Sequence, residues 1–253
     1  MSLPSVTFET KCYEKDWEIL LKTGRLEAMI ARSQFEFSER ILYINNVNDP
    51  DKVKLYAERF KERGIITGHV LVEEHADEAL AFFGLNRDSF NGGYYYSIQE
   101  LVGIYCCRSD YLLHFSSDSI LEGSFPWIEK GIDLLNRDPR IRTINCVWNR
   151  KHCEARDNAF EENDDFWIGH GFSDQCYLIR TADFRSRIYD ESHPASERFP
   201  AYGGELFEKR VDAWGQNNGY LLATYKHGGY LSKNFPRNRL LRTAGRLLGL
   251  YDR

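Results

Sequence analysis

Between two short apolar runs, residues 51–63 place Val53, Tyr56, Ala57 and Phe60 at intervals of three and four, with Gly64 just behind them. That spacing predicts an amphipathic helix stopped by a glycine. The runs on either side, 40–44 and 65–72, have strand character. Strand, helix, strand at this spacing favours a parallel sheet joined by right-handed crossovers. Upstream, residues 6–13 alternate as an earlier strand, and Asp16 is placed to cap a helical stretch carrying Trp17, Leu20, Leu21 and Leu26. Downstream, residues 97–108 read as another helix and 111–115 as a fourth strand, introduced by the turn signal Arg108-Ser109-Asp110. The first half therefore has the pattern of a nucleotide-binding α/β unit.

The second half is less regular. A helix is expected over 126–136 and an alternating strand over 141–148, followed by a charged stretch, 149–170, that reads as a loop or lid around Glu161-Glu162-Asn163-Asp164-Asp165. Residues 175–179 return to strand character, 181–184 start a short helix and 189–202 form a polar loop. Two glycines open a helix over 203–214, and a closing strand over 221–225 runs into Lys226-His227-Gly228-Gly229-Tyr230. There is no internal repeat.

The chain has 253 residues, 42% of them hydrophobic and 28% charged, which suits one globular domain and excludes a disordered or fibrous chain. A net charge of -5 argues against whole-surface attraction to nucleic acid. The six cysteines show no CxxC spacing and several sit in apolar runs, so they read as reduced thiols. The first residues lack the pattern of a signal peptide, and no run approaches the roughly 20 apolar residues of a membrane span. The expectation is a cytoplasmic chain.

The run Tyr111 to Phe115 breaks into Ser116-Ser117-Asp118-Ser119. In an open α/β sheet ligands bind outside the carboxyl ends of the strands, which is where Asp118 falls. The plain alternative is a turn in which Asp118 caps the next segment. Neither GxGxxG nor GxxxxGK[ST] occurs, so a dinucleotide domain or P-loop is disfavoured and bound phosphates would need another counter-charge.

Taken together, an α/β nucleotide half, an aspartate after an apolar central strand, Gly203-Gly204-Glu205 before a helix, and the late His227 resemble a GT-A glycosyltransferase of the family 2 type. The resemblance implies an α/β fold with a mixed, mostly parallel central sheet flanked by helices, in one domain over 1–253. Residues 1–120 would be its nucleotide-binding half, 121–236 its acceptor and catalytic half, and 237–253 a basic amphipathic helix. It implies a sugar moved from a nucleotide-diphosphate donor to a glycan or lipid-linked acceptor, with inversion, assisted by Mn²⁺ or Mg²⁺. Asp118, the surviving acid of the family's Asp-x-Asp motif, would hold the metal together with His227. Thr10, Cys12, Tyr13, Asn46, Ser116, Ser117, Asp118 and Asp174 would bind the nucleotide sugar. Glu205, and after it Glu208, would be the base, although position 206 is leucine where the family often has aspartate. A glutamate merely stabilised by a helix dipole is the plain alternative for either. Trp148, Trp167 and Trp214 suit either a sugar face or the core.

Three rival readings share the pattern. One is a non-catalytic sugar-nucleotide or glycan-binding protein, suggested by the incomplete acidic motifs. Another is a nucleotidyltransferase, which needs a basic glycine-rich loop that Lys11-Cys12-Tyr13-Glu14-Lys15 does not supply. A zinc site from His152, Cys153, His170 and Cys176 fits no common closed spacing. The basic, leucine-rich stretch 237–250 suits either a helix lying on an anionic membrane or one docked on the body with its arginines in water.

Overall fold

The computed structural model describes residues 4–200, 203–236 and 238–251. Its first half runs β1 (Val6–Cys12), α1 (Trp17–Lys22), α2 (Arg25–Arg32), β2 (Glu39–Ile44), α3 (Pro50–Glu62), β3 (Gly68–Leu71), α4 (Val72–Phe83), α5 (Tyr94–Cys106), β4 (Tyr111–Phe115) and β5 (Ser119–Leu121). The second half continues α6 (Trp127–Arg137), β6 (Ile141–Trp148), α7 (His152–Asp157), β7 (Ala159–Glu162), β8 (Phe166–Gly169), β9 (Cys176–Arg180), α8 (Thr181–Phe184), α9 (Phe207–Asn218), β10 (Leu221–Ser232) and α10 (Arg239–Leu247).

One sheet carries the fold, in the order β3-β2-β1-β4-β9-β6-β10-β8-β7, with β5 paired to β10. Strands β1 to β4 are mutually parallel. Beyond them β9 runs antiparallel to both β4 and β6, while β10 is parallel to β6. The sheet is thus mixed and flanked by helices on both faces, as expected. Alternation along β1 sends Val6, Phe8 and Cys12 into one core with α1, α2, α3 and α6. The other face meets α4, α5 and α9 across a core of Tyr43, Leu101, Tyr177 and Phe207.

α3 begins as its sequence dictates: Asp49 accepts from the Lys52 N–H at 3.1 Å and Pro50 takes the first turn. Several boundaries differ from expectation for local reasons. The third strand is Gly68–Leu71 rather than 65–72, because Ile65 donates back to the Phe60 carbonyl to close α3 and Val72 already opens α4. α4 itself was not anticipated, although its buried Val72, Ala76, Ala79, Leu80 and Phe83 recur at helical spacing. The stretch 149–170 is not a lid but a short helix and the β7–β8 hairpin, which extends the sheet through β10. β10 runs on to Ser232, with an irregularity between Tyr225 and Gly229. The helix expected from 203 starts at Phe207, because Gly204 takes a left-handed φ of 63° and Glu205 N–H bonds the Phe90 carbonyl. Glu205 therefore lies ahead of the helix. Residues 201 and 202 of the expected polar loop lie outside the described residues.

Candidate functional site

The carboxyl ends of β1 and β4 bring the acids together. After β4 the chain turns sharply, and both Ser116 (2.9 Å) and Ser232 (3.4 Å) donate their hydroxyls to Asp118 Oδ1. Ser117 donates to Asp16 Oδ2, and the Tyr13 N–H donates to Asp16 Oδ1 at 2.7 Å. Asp16 stands where a cap was expected, but its carboxylate makes no cap bond to α1 and turns back toward this turn instead. Burial pushes Asp16 up to about 7 against the pull of its Ser117 and Tyr13 bonds, with Asp118 adding to the rise. Tyr13 is raised to about 12 by burial and by the same two aspartates.

A cation faces this turn. Arg25, at the start of α2, is only 5% exposed, lies over the Phe235 ring, and has a buried Nε without a partner. Burial lowers it to about 10, and Asp118 opposes that fall. The sequence offered no signal for Arg25 beyond its charge at a helix start.

Behind the turn, on the α5 face of the sheet, lies a buried polar seam. Lys11 pairs with Glu100 of α5, whose side chain is fully buried. Glu9 and His114 are both fully buried and meet at 3.0 Å. His114 stacks on Tyr177 at 4.8 Å. Burial works against the charge of Lys11, but Glu100, Asp174 and Glu9 together hold its pKa above the ordinary value. The seam reaches the surface at Asp174 and Glu208, where the Asp174 N–H donates to Glu208 Oε1 at 3.3 Å. Burial raises both carboxyls: Asp118 adds to the effect at Asp174, and Asp174 adds to it at Glu208.

The expected site residues are thus only partly gathered. Tyr13, Ser116, Ser117, Asp118, Asp174 and Glu208 converge on these strand ends. Cys12 is packed in the core and Thr10 is buried with a hydroxyl that has no partner. Asn46, at a left-handed φ of 49°, lines a separate cavity of about 180 Å³ with Arg87 and Tyr94. Glu205 is drawn into an ion pair with Lys209 at 3.0 Å. His227 is exposed and turned toward the β7–β8 turn, 3.0 Å from the Asp164 carbonyl oxygen and 3.6 Å from Asp165. Ser232, the partner of Asp118, lies five residues further along β10, so the structure does not bring His227 and Asp118 together. Among the described residues no group of three or more His, Cys, Asp and Glu could hold a metal ion. Trp214 is buried in the core, whereas Trp148 and Trp167 line clefts.

The most voluminous cavity described, about 570 Å³, lies at the other end of β4, among Arg108, Asp110, Arg180 and Arg185. Its arginines are spent on backbone carbonyls and Asp183. The acid cluster lies at the opposite strand end. No helix among the described residues is long and apolar enough to cross a membrane.

No protein-family profile matches the sequence, and no curated protein matches it. Solved structures do match. GalNAc-T7 crystallised with UDP, GalNAc and Mn²⁺ superposes with a TM-score of 0.57 at 11% identity, over 93% of this chain and 45% of that one. The chain therefore spans less than half the length of GalNAc-T7. Glucosyl-3-phosphoglycerate synthase from Mycobacterium tuberculosis, crystallised with Mg²⁺ and UDP, gives 0.50 at 13% identity, over 98% of this chain and 78% of that one. Parallel first half, antiparallel return through β9 and acids at the strand ends meet in one architecture: the chain has the fold of the GT-A nucleotide-sugar transferases.

Proposed function

We propose that the chain is a metal-assisted glycosyltransferase that moves a sugar from a nucleotide-diphosphate donor to an acceptor hydroxyl with inversion. The observation that carries the reading is the convergence of Asp118, Asp174 and Glu208 at the carboxyl ends of the sheet in a GT-A fold. The resemblance to structures crystallised with UDP and Mn²⁺ or Mg²⁺ supports a divalent cofactor. Asp118 fits such an ion: it is a hard oxygen donor, only half-buried, and its side-chain hydrogen bonds go to Oδ1. Mg²⁺ or Mn²⁺ takes few protein carboxylates and completes its shell with phosphate oxygens and water. When bound, the ion would neutralise charge on the departing diphosphate. We assign Asp118 this role without His227, whose ring is engaged at the hairpin turn.

Arg25 would supply the second counter-charge that the missing phosphate loop leaves wanting. Ser116, Ser117 and Asp16 would hold the turn in shape, and Tyr13 and the Asn46 cavity would border the nucleoside. Glu208 replaces Glu205 as base, because Glu208 lines a cleft beside Asp174 while Glu205 is paired with Lys209. Burial, with Asp174 beside it, raises its pKa above the ordinary carboxylate range, which makes the ionised group a stronger base. The acceptor hydroxyl passes its proton to Glu208 as its oxygen bonds the anomeric carbon, and the electron pair of the breaking bond leaves with the diphosphate.

The test is a thermal-shift panel of UDP-, GDP-, CMP- and dTDP-sugars with and without Mn²⁺, on the wild type and Asp118→Ala. A metal-dependent shift lost in the variant supports the reading through binding linkage, and slow donor hydrolysis followed by phosphorus NMR separates an enzyme from a binding protein. No shift with any donor overturns it. Peripheral membrane contact through residues 237–250 is part of the proposal, supported by α10 and the turn after it: Leu240, Leu241, Leu247, Leu248 and Leu250 are each at least 60% exposed.

A further inference from the structure

Two clefts open on the Glu208 side of the acid cluster, of about 310 and 260 Å³. They share Asn145, Asn158, Ser173 and Thr224, so they form one continuous groove. Its floor is β6. Asn145 is 8% exposed, yet its carbonyl Oδ1 has no hydrogen-bond partner. A buried amide oxygen left unpaired carries a desolvation cost that a ligand donor reaching it would recover. At the end of β6 Trp148 is 39% exposed, with Lys151 Nζ 4.2 Å from its ring centroid. Trp167 lines the second cleft.

The cations that line the groove are already paired, and its remaining charge, Glu208, is an anion. Lys151 pairs with Glu154 at 2.8 Å and Arg198 with Asp212 at 2.7 Å. An anionic ligand would have to break these pairs, whereas a neutral polyol would not. Amide and hydroxyl groups beside indole rings suit one neutral class in particular, a saccharide: its hydroxyls both donate and accept, and its C–H face packs on an aromatic ring. The first cleft also falls at the lower end of the roughly 300–1,000 Å³ usual for ligand pockets.

From this we infer that the groove along Asn145, Trp148 and Trp167 is a saccharide-binding site, which on the transferase reading holds the acceptor sugar with a hydroxyl directed at Glu208. Asn145 is a specificity-determining contact and Trp148 a stacking platform. An uncharged sugar, rather than a phosphorylated one or a lipid tail, is the group recognised.

Saturation-transfer NMR tests this with the methyl α- and β-glycosides of glucose, galactose, mannose and N-acetylglucosamine as probes, on the whole chain without nucleotide. The expected result is transfer to at least one glycoside, reduced several-fold in Trp148→Ala and in Asn145→Leu, and retained in Asp118→Ala. Trp148 is partly exposed, so its truncation keeps the test informative if Asn145→Leu fails to fold, which circular dichroism reports. Transfer unchanged by the cleft variants, or none from any glycoside, overturns the inference. A donor-induced thermal shift that persists in that case leaves the transferase reading standing, and glycoside binding without any donor shift does the reverse.

Discussion

Glu205 and Glu208 lie three residues apart, and the fold gives them different surroundings. Gly204 in a left-handed conformation turns Glu205 toward Lys209, while Glu208 sits in the first turn of α9 against the Asp174 N–H. Glu208→Gln should therefore cut the transfer rate about 10²- to 10⁴-fold, the usual worth of a general base, and leave the donor-induced thermal shift in place. Glu205→Gln should change the rate by less than about tenfold; equal losses in steady-state assays would undo the assignment. The sequence marked both glutamates and put Glu205 first, because the order depends on where the helix begins and the sequence pattern placed that start at 203 rather than at Phe207. Arg25 was not legible at all: its role rests on a buried guanidinium Nε with no partner beside Asp118. Losing one charge-assisted bond is worth about 1.5–3 kcal/mol, so Arg25→Met should weaken UDP binding about tenfold or more by calorimetry. UDP affinity equal to the wild type's would mean that the arginine only packs.

Elements were readable where one face is apolar and misread where a strand is shielded by charge. α3 and β4 follow their patterns. β7 does not, because Phe160, Glu161 and Glu162 are all exposed on the outermost strand, and charges on an edge strand guard it against pairing with another chain. The contact between α5 and β1 could not be seen either, since Gly103 is required by a partner far away in the sequence. A Cβ at position 103 would lie 2.4 Å from Glu9 Oε2 in a fully buried site. Gly103→Ala should cost about 1–3 kcal/mol of stability by overpacking, and urea unfolding that finds no loss would mean that the helix shifts freely. α10 settles one sequence alternative differently from either option. Arg246 is spent on Glu18 at 2.5 Å, so the helix is docked on the body, while Leu240, Leu241 and Leu247 are exposed together with Arg239. Leu240→Ser with Leu247→Ser should then abolish sedimentation with anionic phospholipid vesicles. Sedimentation at the level of the wild type would leave the leucine face without a membrane role.

At the scale of the whole molecule, the polar seam makes stability depend on pH in an unusual direction. Glu100 is pushed up to about 7 by burial in spite of Lys11, and burial, aided by Glu100, also raises Glu9. An acid with a raised folded pKa holds its proton more tightly in the folded chain. Its contribution to stability is therefore greatest below the unfolded value and is lost as pH rises through the folded one. For Glu100 that window runs from about 4.5 to about 7. His114 has the opposite sense: burial lowers it well below 6.5, so on acidification the unfolded chain takes up its proton first and stability falls below about pH 6.5. The two effects oppose one another at lower pH, while from about 6.5 to 7 the acids act alone. The melting temperature should therefore decline across that interval, at a slope bounded by about 1.4 kcal/mol per pH unit for each titrating group. Glu100→Gln should lower the melting temperature outright, because Lys11 loses its partner in a buried setting, yet it should flatten the decline. His114→Asn should remove the acid-side loss and leave the neutral-side decline intact. Calorimetric melts of the three proteins across pH 5 to 8 decide it, and a Glu100→Gln slope equal to the wild type's would show that the seam does not titrate in this range.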